Sequence, residues 1–487
     1  MSDNFLYYGD NLDILRRYIK DESVDLVYLD PPYNSKRTYN VLFEERNGAG
    51  AASQIKAFED TWTWDKIAAD TFQQIVENGG MVSQAMQSFR LLFGESDMLA
   101  YLSMMTPRLV ELHRILKPKG SIFLHCDPTA SHYLKIILDV IFGDKQFRNE
   151  IVWCYTRPGT KHQKQFSGVH DTIFWYSKGN EWLFNGDDVR IPYSEKTLER
   201  GKYSVATSKV TKGISKRILP KGGKVPEDWW QIPMIQGNAR ERLGYPTQKP
   251  EALLERIIKA SSNERDVVLD PFCGCGTTIS VAQRLKRQWI GIDITQLAIT
   301  LIKHRLQSSF GKAVTYKVVG EPVSLPDAKT LAEQDPYQFQ WWALGLVGAR
   351  PTEQKKGSDK GIDGRIYFHD EIGGKTKQVI ISVKAGHTNV SHVRDLRGVV
   401  EREKADIGVL ITMEKTTQPM RTEAAGSGFY HSEGWNKNYP KIQLLTIAEL
   451  LNNKIIDMPP IHQVNITFKS APLAKTKEGY QMSLDVE

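Results

Sequence analysis

The sequence predicts an α/β protein: a mostly parallel sheet interrupted by an insertion and followed by a second, smaller α/β domain. Three observations predict it. An apolar run stops abruptly on Asp30-Pro31-Pro32-Tyr33 in "LVYLDPPYNSK" (26–36). A strand, a glycine-rich loop, a helix and another strand succeed one another over 267–293, a β-α-β unit that implies parallel pairing with a right-handed crossover. After a polar stretch at 320–335, a new apolar pattern begins at "FQWWALGLVGA".

Residues 24–30 read as a strand buried on both faces. Pro31 and Pro32 cannot donate to a sheet ladder and turn the residues before them away from helix. The strand therefore ends at Asp30, in a stiff loop at the carboxyl edge of a sheet, where open α/β sheets bind ligands. A helical pattern at 97–116 and a second buried strand, "SIFLHCD" (121–127), follow. "LKIILDVIFG" (134–143) reads as a helix stopped by Gly143. From 155 to 244 the patterning weakens and Lys, Gly, Pro and Trp rise. Regularity returns at Pro250, a helix start that places Leu253, Leu254, Ile257 and Ile258 on one face. The strands "VVLD" (267–270) and "QWIGID" (288–293) flank the glycine loop and its helix.

The expected organisation is a discontinuous catalytic domain (1–154 and 245–320), an insertion (155–244), a linker (321–335), a second domain (336–455) and a tail (456–487). With 487 residues, several domains are expected. A composition of 40% apolar and 25% charged residues is that of a globular protein. The formal net charge of +7 suits an acidic partner such as nucleic acid. The four cysteines form neither a disulfide framework nor a zinc spacing. The N-terminus lacks the pattern of a secretory signal, and no apolar run approaches the ~18 residues of a membrane span. A cytoplasmic protein without membrane contact is expected.

Gly274 and Gly276 lie between strand and helix, where glycine lets a ligand come close to the backbone. Asp293 ends the next strand, placed for a ribose. A dinucleotide fingerprint would put Gly or Ala where Ile279 stands, so a nucleoside without a pyrophosphate fits better. Either stretch alone also reads as an ordinary turn. Together they resemble the amino-methylating DNA methyltransferases, whose fold is a Rossmann-like, S-adenosylmethionine-dependent one. The resemblance covers roughly residues 5–310, including "YYGDNLDIL", "LKPKGSIFLHCD" and "YPTQKPEALLERI". With the catalytic motif before the glycine loop, it is to the permuted β group.

The resemblance implies that Asp30, Pro31, Pro32 and Tyr33 hold the target amine. Asp30's carboxylate and the Pro31 carbonyl would accept its hydrogens, and Tyr33 would stack on a base flipped out of the duplex. Asp10, Thr247, Lys249, Pro250, Asp270, Phe272, Gly274, Gly276, Thr277 and Asp293 would surround S-adenosylmethionine, with Asp10 toward its adenine and Thr247, Lys249 and Pro250 toward its methionine end. Asp30 favours adenine N6. Cytosine N4 enzymes of the family more often carry Ser at this position, and protein glutamine methyltransferases carry Asn.

Between 196 and 224 there are nine basic residues and one acid, Glu199. Such a run is ordinarily a solvated face. Lying where the family keeps its target-recognition region, Lys209, Lys212, Lys216 and Arg217 are the expected contacts to double-stranded DNA. A homodimer is also allowed for.

In 355–390, Asp363 enters a strand, and "QVIISVK" sets Gln378, Ile380, Ser382 and Lys384 on one face. This resembles the Mrr-type restriction-endonuclease fold, in which the acid holds Mg²⁺ and the lysine activates water. Asp363 is thus the candidate Mg²⁺ ligand. Ser382 stands where that family has Glu, Asp or Gln, so Glu353, Asp359 or Glu401 would have to complete the site. Weak, conditional or absent cleavage is expected. An alternative makes the chain a bifunctional restriction–modification enzyme whose C-terminal nuclease is active.

Overall fold

A computed structural model of the protein describes residues 4–32, 37–42, 54–60, 63–156, 164, 166–201, 204–207, 213–216, 219–220, 222–245, 247–352, 361–370 and 376–460; for 37–42, 54–60, 200–201, 204–207, 213–216 and 312 it describes the backbone alone. Its larger sheet has nine strands. Their spatial order is Trp229–Gln231, Phe147–Cys154, His170–Ser177, Leu116–Cys126, Val24–Leu29, Val267–Asp270, Gln288–Asp293, Asn4–Tyr8 and Tyr316–Val319. All neighbours run parallel except His170–Ser177, which is antiparallel to both of its partners. Core clusters cover both faces, one around Leu15, Leu102 and Leu124, the other around Leu26, Ile257 and Trp289.

Two strands far apart in sequence meet at the centre. Val268 and Leu269 pair with Leu26 and Val27. The carboxyl ends of these strands deliver Asp30 and the Pro271–Gly276 loop to the same edge, the arrangement expected at a topological switch point. The expected boundary at 155 cuts through this sheet, because His170–Ser177 and Trp229–Gln231 lie within 155–244 and complete it. What is left as a separate appendage includes an antiparallel pair, Ser204–Thr207 with Gly213–Lys216.

The smaller sheet has the order Arg350–Pro351, Gly364–Phe368, Lys377–Lys384, Ile407–Thr412 and Ile442–Thr446. Its first two junctions are antiparallel and the next two parallel. The helix Val390–Arg402 covers one face through Val393, Leu396 and Val400. The helix Pro336–Leu346 covers the other through Phe339, Trp342 and Leu344. The stretch expected as a linker contains the helix Leu325–Gln334, and its Ala328 is buried in this second core.

The two parts are in close contact. A Cβ on Gly345 would lie 2.8 Å from Thr300 Oγ1, so the helices Pro336–Leu346 and Gln296–Phe310 approach closely where glycine allows it. The Gln296 backbone N–H donates to Gln338 Oε1 at 3.0 Å.

Candidate active site

A cavity of about 260 Å³ opens at the switch point. Asp30, Pro31 and Pro32 form one wall, and Asp270, Phe272, Gly274 and Thr277 another. Asp10, Thr247, Lys249 and Asp293 also line it. Eleven of the expected residues thus converge on one space. Tyr33 lies outside the described residues. Pro250 and Gly276 do not line the cavity. Pro250 instead caps the start of the helix Glu251–Ser261.

The glycine loop is held from several directions. Asp270 accepts from Phe272 N at 3.1 Å and from Thr278 Oγ1 at 2.6 Å, which closes the loop on itself. Asp293 accepts from Gly274 N at 2.9 Å and from Thr295 N at 2.9 Å, tying the loop to the next strand end. The two glycines have different tasks. Gly274 lines the cavity at φ +49°, and a Cβ there would sit 3.2 Å from the Tyr245 ring. Gly276, at φ +73°, begins the helix Thr277–Arg284, and its missing Cβ makes room for Ile302 at 2.8 Å rather than for a ligand. Both lie in the left-handed region that suits glycine.

Charge around the cavity is mostly negative. Burial pushes the Asp270 carboxyl up to about 7, with the charges of Asp30 and Asp293 adding to the shift against hydrogen bonds from Thr278 and Phe272. Burial likewise raises Asp293 to about 6, against its bonds from Thr295 and Gly274. Two cations enter this setting. Lys249 donates to Asp30 Oδ2 in an ion pair whose side chains are 10% and 15% exposed. Arg108 donates to Asp10 Oδ2 at 2.7 Å and to Asn11 Oδ1 at 2.5 Å, while Asn11 Nδ2 donates to the Pro271 carbonyl at 2.8 Å. Asp10 also caps the helix Asn11–Tyr18 through Leu12 N. Its carboxylate therefore ties that helix start to Arg108 at the cavity wall.

Thr247 adopts φ +59°, uncommon for a β-branched residue and the kind of strain that gathers at functional sites. Sequence reasoning missed Tyr28, Arg108 and Tyr245, which all line the cavity. Tyr28 lies two residues before Asp30, hence on the same side of the strand. Tyr245 opens the "YPTQKP" stretch that also supplies Thr247 and Lys249. For Arg108, 98 residues from Asp10, no spacing signal exists.

In the smaller domain Asp363 Oδ2 accepts from Val383 N at 2.6 Å and Ser382 Oγ at 3.1 Å, with Lys384 Nζ at 3.9 Å. The expected trio is brought together. Glu401 pairs with Arg397 on the exposed side of its helix at 3.1 Å. Glu353 and Asp359 lie outside the described residues. Among the described residues no group of three or more His, Cys, Asp and Glu could hold a metal ion. Of the basic run, Lys209, Lys212 and Arg217 lie outside the described residues, and Lys216 is described by its backbone alone. Among the described residues no helix is long and apolar enough to cross a membrane.

Known proteins resemble both parts of the chain. Residues 336–452 match the family described as NACHT-associated inactive Restriction Endonuclease 1. The type II methyltransferase M.BglII of Bacillus subtilis is 29% identical over 385 residues, covering 75% of this chain and 82% of that protein. M.HpaI of Haemophilus parainfluenzae is 36% identical over 293 residues, covering 60% and 71%. The DNA adenine methyltransferase YhdJ of Escherichia coli (strain K12) is 29% identical over 306 residues, covering 62% and 82%. Residues 24–304, which span both walls of the cavity, match the DNA methylase family of N6 and N4 amino-methyltransferases, and the chain belongs to that family.

Proposed function

We propose that the chain transfers a methyl group from S-adenosylmethionine to the N6 amine of adenine in double-stranded DNA, at a specific sequence, as the modification half of a restriction–modification system in the cytoplasm. The observation that carries this reading is that Asp30-Pro31-Pro32 and the Gly274 loop face each other across one cavity.

The cavity fits the cofactor. Gly274 leaves room beside the Tyr245 ring, and the carboxylates of Asp270 and Asp293 flank a space suited to a cation. Bound there, S-adenosylmethionine supplies an activated methyl on a sulfonium. Gly274 and Asp293 would hold its nucleoside end; Thr247 and Lys249 would border its methionine end. The adenine N6 lone pair is delocalised into the ring, so the amine is a poor nucleophile. Asp30's carboxylate and the Pro31 carbonyl accept its two hydrogens and turn the lone pair toward the methyl group. The prolines keep these acceptors fixed, so little reorganisation is needed at the moment of transfer. Tyr33 stacks on the flipped base. An aspartate at position 30, where cytosine N4 enzymes more often carry Ser, and the adenine specificity in the name of YhdJ support adenine over cytosine.

The basic run about Lys209, Lys212, Lys216 and Arg217 contacts DNA phosphates. The C-terminal domain, of Mrr type, binds DNA without cutting it: Asp363 is committed to Ser382 and Val383, and the matched family is described as inactive. The test is mass spectrometry of nucleosides from DNA incubated with the protein and a deuterated methyl donor. Labelled N6-methyladenine is expected; labelled N4-methylcytosine would reverse the base assignment.

A further inference from the structure

In the structure, one acceptor oxygen of Asp30, Oδ2, already accepts from Lys249. A target amine arriving at that oxygen meets a carboxylate whose charge is already compensated. The ammonium can give way only if another anion is within reach, since a cation stripped of its partner in a mostly buried site is costly.

A second anion, Asp171, is linked to the cavity wall through His125 and Tyr28. Asp171, at the start of the strand His170–Ser177, accepts from Tyr155 Oη at 3.1 Å, and its Oδ2 lies 3.2 Å from His125 Nε2. The other ring nitrogen of His125, Nδ1, is 2.9 Å from Tyr28 Oη. The His125 side chain is fully buried. Tyr28 in turn lines the cavity beside Asp30. Four polar groups from neighbouring strands thus run in one chain from the cavity wall to Tyr155, on a sheet face otherwise built of residues such as Leu26, Phe123, Ile151 and Ile173. Polar groups in such surroundings are costly unless fully satisfied, so this chain fixes Asp171 in one place. Burial raises the Asp171 carboxyl, but the hydrogen bond and charge of His125, the charge of Lys249 and the Tyr155 hydroxyl outweigh it and hold it below the ordinary carboxylate range.

We propose that Asp171, fixed by His125 and Tyr155, is a positioning residue for methyl transfer: it takes up the Lys249 ammonium when the target amine displaces it from Asp30. The inference rests on the reading of Asp30 as the amine's acceptor. In the resting protein Lys249 neutralises Asp30. With the base in place, the ammonium shifts toward Asp171, and Asp30 recovers the charge that draws the amine's hydrogens.

The test is single-turnover methylation by the full-length protein at saturating S-adenosylmethionine and a DNA duplex carrying its site. Asp171→Asn keeps the shape and hydrogen-bonding capacity of the side chain and removes its charge. It should slow turnover by about 30-fold while leaving cofactor affinity within about twofold. Adding Lys249→Met should raise the rate of the Asp171→Asn protein by about fivefold or more, because the clamp on Asp30 is gone. Tyr155→Phe, which removes only one hydroxyl, should slow the same step by about threefold. A rate for Asp171→Asn within about threefold of wild type, or losses that multiply when Lys249→Met is added, would overturn the proposal. So would a Tyr155→Phe protein that turns over at the wild-type rate. Wild-type protein that methylates no adenine in the same assay would instead remove the reading on which the inference rests.

Discussion

Lys249 and Asp30, 219 residues apart in the chain, form an ion pair inside the cavity. Lys249 follows the insertion and Asp30 precedes it, so the pair ties two distant stretches of the chain together at the cavity. Removing one partner of a buried pair leaves the other charge uncompensated. Lys249→Met should therefore lower the unfolding free energy by about 3 kcal/mol. Adding Asp30→Asn should return most of the loss. Urea denaturation of the two proteins checks this, and equal stability of Lys249→Met and wild type would show that the pair is too hydrated to matter.

Cofactor affinity should depend on pH through Asp293 and Asp270, whose carboxyls are raised to about 6 and about 7. A raised carboxyl holds its proton to higher pH, and only the ionised form attracts a sulfonium cation. Affinity for S-adenosylmethionine should thus rise between pH 5.5 and 8. S-adenosylhomocysteine, which lacks the positive charge, should show a shallower rise. Calorimetric titrations of both ligands at the two pH values decide this, and parallel slopes would exclude a role for these charges in recognising the sulfonium.

The two loop glycines should fail in different ways. Gly276→Val forces a side chain into Ile302 at a left-handed position, and about 2–4 kcal/mol of stability should be lost. Gly274→Ala adds one methyl beside Tyr245 at the cavity wall. It should weaken S-adenosylmethionine binding by about tenfold with a smaller loss of stability. Thermal melts alongside binding isotherms separate the two, and a Gly276→Val protein that melts like wild type would reverse the assignment.

Purified protein with Mg²⁺ should leave unmethylated DNA intact over hours, and Lys384→Ala should leave methylation unchanged. The Asp363 carboxylate is taken up by Val383 and Ser382. Rapid Mg²⁺-dependent cutting that disappears in Lys384→Ala would show instead that the C-terminal site is a working nuclease.

What the sequence disclosed was local. Asp30-Pro31-Pro32 announces a strand end because proline forbids its continuation, and Gly274 and Gly276 mark a turn because of their backbone freedom. Eleven residues that the resemblance placed at the site do line one cavity. Relationships carried by tertiary contact had no such mark. Arg108 reaches Asp10 from 98 residues away, and Asp171 meets His125 only because their strands pair. The weak patterning of 155–244 concealed the strand His170–Ser177, whose "HDTIFWYS" is buried on both faces after its first two residues and so lacks alternation. Gly276 looked like a ligand contact because its task, admitting Ile302, depends on a helix that begins twenty residues later.

In the proposed reaction the Asp30 carboxylate accepts the target amine in a cavity that binds the cofactor independently of it. The most direct test of this role is Asp30→Ala, with single-turnover methylation and S-adenosylmethionine binding measured on the same preparation. A rate lowered by about 10²–10³-fold or more is expected, with the cofactor dissociation constant within about threefold of wild type. A rate within about tenfold of wild type at unchanged cofactor affinity would contradict it.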